Sequence, residues 1–223
     1  VAVSVKEFND MKAKVSKFDN VSMSCGVHPL HNEDVCSYDE LLASVKQDDV
    51  VAVGETGLDY FYSPETQDIQ KQSFVDHIKA ANEVQKPLII HTRNAHKDTI
   101  DLLKKHRDPQ TIGVLHCFTE SLEMAKEAIE MGFYISISGI VTFASAEELQ
   151  ETVKQIPLER LLIETDSPWL APIPHRGKEN EPGNVVDVAY FIAELRDISV
   201  TELAAATTAN FYKLFSMVVK PNV

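Results

Sequence analysis

Apolar segments typical of β-strands alternate with amphipathic helical segments along the chain, and this alternation constrains the fold more than any other feature. The strand-like segments are VAVSV (1–5), VSMSCGV (21–27), VVAVGE (50–55), PLIIHT (87–92), IGVLHCF (112–118), GFYISISG (132–139) and RLLIETD (160–166). Strands that are apolar along nearly their whole length are typical of a parallel sheet covered by helices. The sequence therefore predicts an α/β fold.

The segments between these strands have the periodicity of helices that bury one face. They cover residues 5–18, 39–47, 66–84, 97–107, 121–132, 145–156, 184–196 and 200–215. In the longest, the residues that recur near a period of 3.6 are predicted to face the core: Ile69, Phe74, Ile78 and Ala81. Histidines that lie among Lys and Asp in such segments are predicted to be solvated: His77, His96 and His106.

The number of predicted strands is compatible with two architectures. A doubly wound open sheet can have seven strands, whereas a (β/α)₈ barrel needs eight and typically about 250 residues. The chain has 223 residues, begins with Val1 rather than Met, and is strand-like from its first residue. A βα unit preceding Val1 would account for both shortfalls. We therefore predict one domain over residues 1–223, a TIM-like (β/α)₈ barrel whose first strand is not in this sequence.

Composition excludes some classes of function and partner. The formal net charge is −13 and the sequence pI is near 5.0, so a broad basic surface for nucleic acid is disfavoured. Phosphate could still bind locally, where metal ions or a few basic residues supply positive charge. No apolar run approaches the roughly 18 residues that span a bilayer. The three cysteines lack metal-finger spacing. These features predict a cytoplasmic protein without a membrane anchor, and no obligate protein partner is evident.

Polar residues end four of the predicted strands, and they share one chemistry. The residues are Glu55, His91, His116 and Asp166. Carboxyl ends of parallel strands converge at the face where barrel enzymes hold their catalytic groups. One such histidine is more often structural, and one such acid is more often a helix cap. Because all four lie at the same end of their strands, they predict a centre for Zn²⁺, Mn²⁺ or Mg²⁺.

A second cluster of polar residues follows the last predicted strand. The loop APIPHRGKENEP (171–182) contains His175, Arg176 and Lys178. Loops after the last strands of barrels often bind phosphate, and the guanidinium fork of Arg matches phosphate geometry. An ordinary surface loop of mixed charge is the alternative. Arg93, which follows His91 by two residues, could add a positive group. His28 also ends a strand and could contact substrate or brace its loop.

These motifs together resemble the TatD family of metal-dependent deoxyribonucleases. The resemblance is carried in order by GETGLDY (54–60), IHTR (90–93), LHCF (115–118), ETDSP (164–168) and PHRGKENEP (174–182), and GVHPL (26–30) and SGIVTF (138–143) agree with it. It implies a TIM-like barrel, two divalent metal ions and hydrolysis of phosphodiester bonds. The implied substrate is DNA, single-stranded or at an end, and the activity is often exonucleolytic.

The resemblance also implies roles for the strand-end residues. Glu55 would bridge the two metals, and His91 and His116 would ligate one of them. Asp166 would ligate the other and accept the proton of the attacking water, so that Glu55 and Asp166 are the catalytic residues. The family's first strand ends in a His-x-His pair, which this sequence lacks.

Two other functions remain open from the residues. The same metal centre could attack a carbonyl in an amide, a lactone or an aminoacyl ester. A chain that truly lacked the His-x-His strand could instead be a non-catalytic scaffold.

Overall fold

The computed structural model describes residues 1–220 and divides into two compact units, Val1–Val114 with the segment from Leu214 onward, and Leu115–Lys213. The strands are β1 Met23–Cys25, β2 Val50–Asp59, β3 Leu88–Arg93, β4 Gly113–Leu115, β5 Tyr134–Ile137 and β6 Leu161–Ile163. The α-helices are α1 Val5–Val15, α2 Tyr38–Val45, α3 Gln67–Val84, α4 His96–His106, α5 Leu122–Glu130, α6 Glu147–Gln155, α7 Val185–Leu195 and α8 Val200–Leu214. Short 3₁₀ turns are Asn32–Asp34, Pro64–Thr66, Gly139–Thr142, Leu158–Arg160 and Pro182–Asn184.

The first unit is built on parallel pairing of β1, β2 and β3. β2 pairs with β1 on one side and with β3 on the other, and Gly57 lies opposite His91 in the register. Nearly every residue of β2 is buried, as the apolar run in its sequence predicts. Side chains from the strands and helices form its core, among them Phe8, Leu41, Phe74, Ile78 and Leu103. The carboxyl ends of β2 and β3 are thereby fixed side by side.

The second unit repeats the strand-helix alternation. β5 and β6 pair in parallel, with Ile137 opposite Ile163. Its core includes the fully buried side chains of Leu115, Phe118, Phe133 and Tyr134. Within each unit the strands are ordered in the sheet as they occur in the chain. The predicted α/β class with parallel strands is therefore confirmed. Within residues 1–220, no helix combines the length and apolarity needed to cross a membrane.

The predicted strand over residues 1–5 is wrong. Six of the seven predicted strands form within the described part of the chain, and residues 1–4 form none. Ala2 does donate its N–H to the Ser24 carbonyl oxygen (3.3 Å) and accept one from Glu55 (3.2 Å), so the segment lies beside the sheet. The segment ends at Ser4, because the Ser4 hydroxyl accepts the Glu7 N–H and caps the first turn of α1. A helix cap thus interrupts an otherwise β-like sequence.

The buried face of α3 differs from the predicted one in two ways. Phe74, Ile78 and Ala81 are buried as predicted, but Ile69 is 48 % exposed and Gln70 takes its place inside. The Gln70 side chain is satisfied there because its amide pairs with the backbone N–H and carbonyl of Asp59 at 2.8 and 3.0 Å. Paired hydrogen bonds remove the cost of burying this amide, and they bind α3 to the end of β2.

His77 is also buried rather than solvated, while His96 and His106 are partly exposed. The Nε2 atom of His77 accepts the Val27 N–H at 2.9 Å, so that Nδ1 carries the proton and donates to the Ser73 carbonyl at 2.7 Å. Burial lowers the pKa of His77 to about 4, which keeps the ring neutral. The neutral ring holds the backbone where the chain leaves β1.

The lowered pKa of His77 predicts that the folded protein loses stability as pH falls. Its folded pKa of about 4 lies below the ordinary value of 6.5, so between these values the unfolded chain takes up a proton that the folded chain does not. The free energy of unfolding should therefore fall by about 3 kcal/mol as pH falls from about 6.5 to about 4. Denaturant titrations of the parent and His77→Gln across this range measure the difference. Equal slopes for the parent and His77→Gln would contradict the assignment.

Candidate metal centre

Two glycines let the carboxyl ends of β2 and β3 approach closely. Gly54 and Gly57 have φ of +142° and +136°, a region that favours glycine. A Cβ at Gly57 would collide with the His91 carbonyl oxygen, and a Cβ at Gly54 would collide with that of Ile89. Glu55 lies between these glycines and is 8 % exposed. The backbone thus presents a buried carboxylate beside the neighbouring strand.

Glu55 contacts two histidines, and the three side chains form a group able to hold a metal ion. Its Oε1 atom lies 3.2 Å from His28 Nε2 and 3.4 Å from His91 Nδ1. The ligand atoms of the three residues all lie within 4.8 Å of one another. The sequence predicted that Glu55 and His91 lie close together, and the structure places them in contact. A carboxylate beside imidazoles is a donor set that suits Zn²⁺ or Mn²⁺.

Asp59 orients the His91 ring. Asp59 is fully buried, and its Oδ2 atom lies 2.9 Å from His91 Nε2. Burial by itself raises the pKa of Asp59, but hydrogen bonds from His91 and from the backbone N–H groups of Tyr62 and Phe61 leave it below its usual range. The ionised carboxylate therefore accepts a hydrogen bond from the Nε2–H group of His91. The lone pair of the ring is then on Nδ1, which faces Glu55. Metal-binding histidines commonly have such a carboxylate partner.

His28 has the opposite tautomer. Its Nδ1 atom accepts the N–H of Leu30 at 3.1 Å. The proton of the neutral ring is therefore on Nε2, which faces Glu55 Oε1. A nitrogen that carries a proton cannot ligate a metal. The hydrogen bonds thus favour Glu55 and His91 as ligands and make His28 the donor that orients Glu55.

The second unit has a matching pair at the ends of β4 and β6. The Nδ1 atom of His116 lies 3.4 Å from Glu164 Oε1. Glu164 is itself fixed, because Oε1 accepts the Cys117 N–H at 2.7 Å and Oε2 accepts the Ser136 hydroxyl at 2.7 Å. A carboxylate on Nδ1 leaves Nε2 as the ring nitrogen suited to a metal. His116 therefore has the environment of a ligand in its own unit.

Asp166 follows β6 in a loop that is held by a buried amide. Its φ is +57°, a left-handed conformation in which Asp is enriched. Asn180, which is 4 % exposed, donates to the carbonyl oxygens of Thr165 and Trp169 at 2.8 and 2.7 Å. These bonds fix the backbone on both sides of Asp166. The backbone that carries Asp166 is thus held in place from both sides.

The four residues predicted to bind phosphate have different environments. Arg176 and Lys178 are exposed, and the guanidinium carbon of Arg176 lies 4.2 Å from the centre of the Phe143 ring. His175 Nε2 lies 3.2 Å from an oxygen of Asp187, which would balance a positive charge on that ring. Arg93 belongs to the first unit and contacts aromatic side chains. Their binding of phosphate stays a prediction.

Comparison with known proteins decides the family. The model of the TatD related DNase family matches residues 1–216. The chain belongs to this TatD family. It is 50% identical over 215 residues to the "uncharacterized metal-dependent hydrolase YcfH" of Escherichia coli K12, covering 96% of this chain and 81% of that protein. The "uncharacterized metal-dependent hydrolase TatD" of Mycobacterium tuberculosis is 39% identical over 183 residues, with 80% and 69% covered.

Solved structures agree with this assignment. The crystal structure of YjjV, a TatD homologue from Escherichia coli K12, has a TM-score of 0.90 at 30% identity, and the match covers 96% of this chain and 84% of that chain. An uncharacterized amidohydrolase from Saccharomyces cerevisiae shares the fold, with a TM-score of 0.79 at 21% identity over 96% and 87% of the two chains. The protein is a metal-dependent hydrolase of the TatD family, and the predicted TIM-like fold is confirmed.

Two carboxylates of this TatD protein were not predicted as site residues. Asp59 follows Glu55 by four positions, and Glu164 precedes Asp166 by two. In the predicted strand 160–166, Glu164 and Asp166 are two apart and would point to the same face, so this spacing could have marked Glu164. Asp59 lies beyond the predicted strand 50–55 and had no such signal. Both carboxylates orient histidines at the ends of other strands. Only the folded chain brings those histidines near, so their role could not be predicted.

Asp59→Asn should weaken metal binding by about 10- to 100-fold. The amide nitrogen of Asn would face His91 Nε2, which must then accept, so the ring proton moves to Nδ1 and occupies the ligand position. Calorimetric titration of the protein with Mn²⁺ or Zn²⁺ measures the change. Asp98→Asn is the matched control, because Asp98 accepts from Lys71 and Tyr60 and contacts no ring nitrogen in these bonds. Equal affinity in Asp59→Asn and the parent would exclude the orienting role.

Proposed function

We propose that the protein is a deoxyribonuclease that hydrolyses phosphodiester bonds with two divalent metal ions. The observation that carries this proposal is the Asp59–His91–Glu55 arrangement, which prepares a nitrogen and a carboxylate for a metal in a chain of the TatD related DNase family. When bound, such ions lower the pKa of water and neutralise charge on a phosphoryl group. Mg²⁺, Mn²⁺ and Zn²⁺ are the candidate ions.

The proposed reaction assigns metal binding, proton transfer and positioning to different side chains. Glu55 and His91 of the first unit, and His116 and Asp166 of the second, are the proposed metal ligands. Asp166 is also proposed to accept the proton of the attacking water, and the Asn180 hydrogen bonds that hold the backbone on both sides of it support this role. His28 keeps Glu55 in position through its Nε2–H group. In these assignments the buried Glu55 holds metal, and the less buried Asp166 both holds metal and accepts a proton.

A substrate phosphate needs local positive charge in a protein of net charge −13. Arg176 is the main proposed source, because packing on Phe143 restricts its guanidinium before substrate arrives. Lys178, His175 and Arg93 are proposed to add weaker contacts. The proposed substrate is DNA that is single-stranded or presents an end.

Assays with two substrates and three metals test the proposal. The metal-stripped protein should be inactive on a single-stranded DNA oligonucleotide, and added Mg²⁺, Mn²⁺ or Zn²⁺ should restore cleavage. A small carboxylic ester is assayed in parallel under the same conditions. Cleavage of the ester alone would replace the nuclease with the carbonyl-directed hydrolase. No cleavage of either substrate with any metal would support the non-catalytic alternative.

Arg176→Ala should lower kcat/KM for the oligonucleotide by about 10- to 150-fold, with metal affinity unchanged. This range corresponds to one charge-assisted hydrogen bond of about 1.5–3 kcal/mol. Arg176→Lys should recover only part of the loss, because a point charge replaces a planar fork. Lys178→Ala should have a smaller effect that added salt masks. Lys154→Ala, which removes an exposed cation paired with Glu151, is the control. If Arg176→Ala cleaves as well as the parent, Arg176 does not bind phosphate.

A further inference from the structure

Two adjacent aromatic side chains are exposed just after the end of β2. Phe61 is 53 % and Tyr62 is 60 % exposed, and their ring centres lie 4.8 Å apart with the planes at 90°. Large aromatic side chains are usually buried, and single exposed ones need no explanation. A contiguous exposed pair is different, because it leaves a sizeable apolar surface in water. Such surfaces commonly mark binding sites.

Arg93, at the end of β3, packs against both rings. Its guanidinium carbon lies 4.6 Å from the centre of the Phe61 ring and 4.9 Å from that of Tyr62. Asp59 and Arg93 are register partners in the β2–β3 pair, so the sheet itself places this cation beside the aromatic turn. The result is an apolar π surface joined to one positive charge. That combination is complementary to a flat aromatic ligand that carries an adjacent anion.

The turn that holds the rings is fixed before any ligand arrives. Asp59 Oδ1 accepts the backbone N–H groups of Phe61 and Tyr62 at 3.0 and 2.8 Å. Gln70 donates to the carbonyl oxygens of Asp59 and Ser63 at 3.0 Å each and so closes the turn from α3. A surface that is ordered in advance loses little conformational entropy on binding.

The same turn is joined to the metal centre through one side chain. While Oδ1 of Asp59 holds the turn, its Oδ2 bonds to Nε2 of His91, whose other nitrogen faces Glu55. The aromatic pair therefore begins two residues beyond the acid that orients a proposed metal ligand. One side chain, Asp59, thus holds both the aromatic turn and the ring of a proposed metal ligand.

We propose that Phe61 and Tyr62, with Arg93, form a stacking platform for a nucleobase of single-stranded DNA, next to the phosphodiester that is cleaved. This inference rests on the proposed nuclease function and adds a subsite to it. Stacking on aromatic rings accepts any base, because every base has a π face. It also requires an unpaired base, since the faces of a base within a duplex are covered by its neighbours. The platform thus selects unpaired nucleotides, such as those at a strand end, over continuous duplex.

The test compares a single-stranded oligonucleotide with one whose terminal nucleotides at both ends are abasic tetrahydrofuran analogues. The parent should prefer the base-bearing substrate by about 5- to 150-fold in kcat/KM, the range for one stacked base. Phe61→Leu combined with Tyr62→Leu keeps apolar volume but removes the π faces, and should bring this preference close to one. Phe61→Trp retains a π face and should keep the preference. Because both side chains are exposed, and the Asp59 and Gln70 side chains hold the turn through its backbone groups, these variants should fold.

Phe18→Leu is the matched control. Phe18 is 50 % exposed and also contacts a cation, Lys17, at 5.1 Å, but it precedes β1 and so lies at the amino end of the strands. This variant should keep the parent's preference. A parent that cleaves both oligonucleotides equally well overturns the platform and leaves the nuclease standing. A parent that cleaves neither overturns the nuclease and the platform with it.

Discussion

Glu55→Gln should lower kcat/KM for a phosphodiester by about 10³-fold. A metal ion contributes several kcal/mol to stabilising a charged transition state, and each 1.4 kcal/mol corresponds to about tenfold in rate. Glutamine has the shape of glutamate but no charge, so it is a poor ligand for a divalent ion. It retains an oxygen that can accept from His28 Nε2, which lies 3.2 Å from Glu55 Oε1. The fold should therefore remain, and the melting temperature should stay near that of the parent.

Metal content separates the loss of a ligand from other causes of inactivity. Mass spectrometry of the metal-loaded protein should find less bound metal in Glu55→Gln than in the parent. Glu7→Gln, which changes an exposed acid in the first turn of α1, should match the parent in both metal content and activity. Parent-like turnover in Glu55→Gln would remove Glu55 from the centre.

Asp166→Asn should abolish most turnover for a different reason. It removes a charged ligand and a proton acceptor together, and loss of general base catalysis alone costs about 10²- to 10⁴-fold. Asn adopts the left-handed region as readily as Asp, so the φ of +57° at this position should not strain the variant. Thermal unfolding should therefore be close to that of the parent.

The pH-rate profile distinguishes this role from a merely structural one. If Asp166 accepts the proton, the residual activity of Asp166→Asn should rise with hydroxide concentration, because hydroxide can replace the missing base. Ser167→Ala is the control, because it changes the neighbouring exposed residue and leaves the carboxylate. Near-parental activity of Asp166→Asn at neutral pH would exclude Asp166 from proton transfer.

The sequence predicts the parts of the site that depend on strand direction. Glu55 and His91 each follow an apolar run, and parallel pairing then places their strand ends side by side, so the contact between them could be predicted. The tautomers of the two histidines, His91 and His28, could not be predicted. Whether a histidine ligates or donates depends on its second nitrogen, and the groups that bond there, Asp59 for His91 and the Leu30 N–H for His28, are set by tertiary structure.

The wrong predictions for the buried face of α3 have the same origin, because they too depend on tertiary hydrogen bonds. Hydrophobic periodicity assigns Ile69 to the core, and the Lys and Asp residues around His77 assign that ring to solvent, whereas Gln70 and His77 are buried. Both polar side chains are buried because specific backbone groups satisfy them, those of Asp59 for Gln70 and those of Val27 and Ser73 for His77. Periodicity measures only the average cost of burying a side chain. It cannot detect a hydrogen-bond partner that lies far away in the sequence.

Asp59 shares one carboxylate between the His91 ring and the turn that carries Phe61 and Tyr62. A metal bound at Glu55 and His91 and a strand end bound on the aromatic turn would both act on the Asp59 carboxylate, so occupancy of the two proposed sites would be thermodynamically linked. Linkage is reciprocal: if bound metal tightens the hold of the turn on a strand end, a bound strand end must tighten the hold on metal by the same factor. The protein would then bind metal most tightly while a strand end is bound.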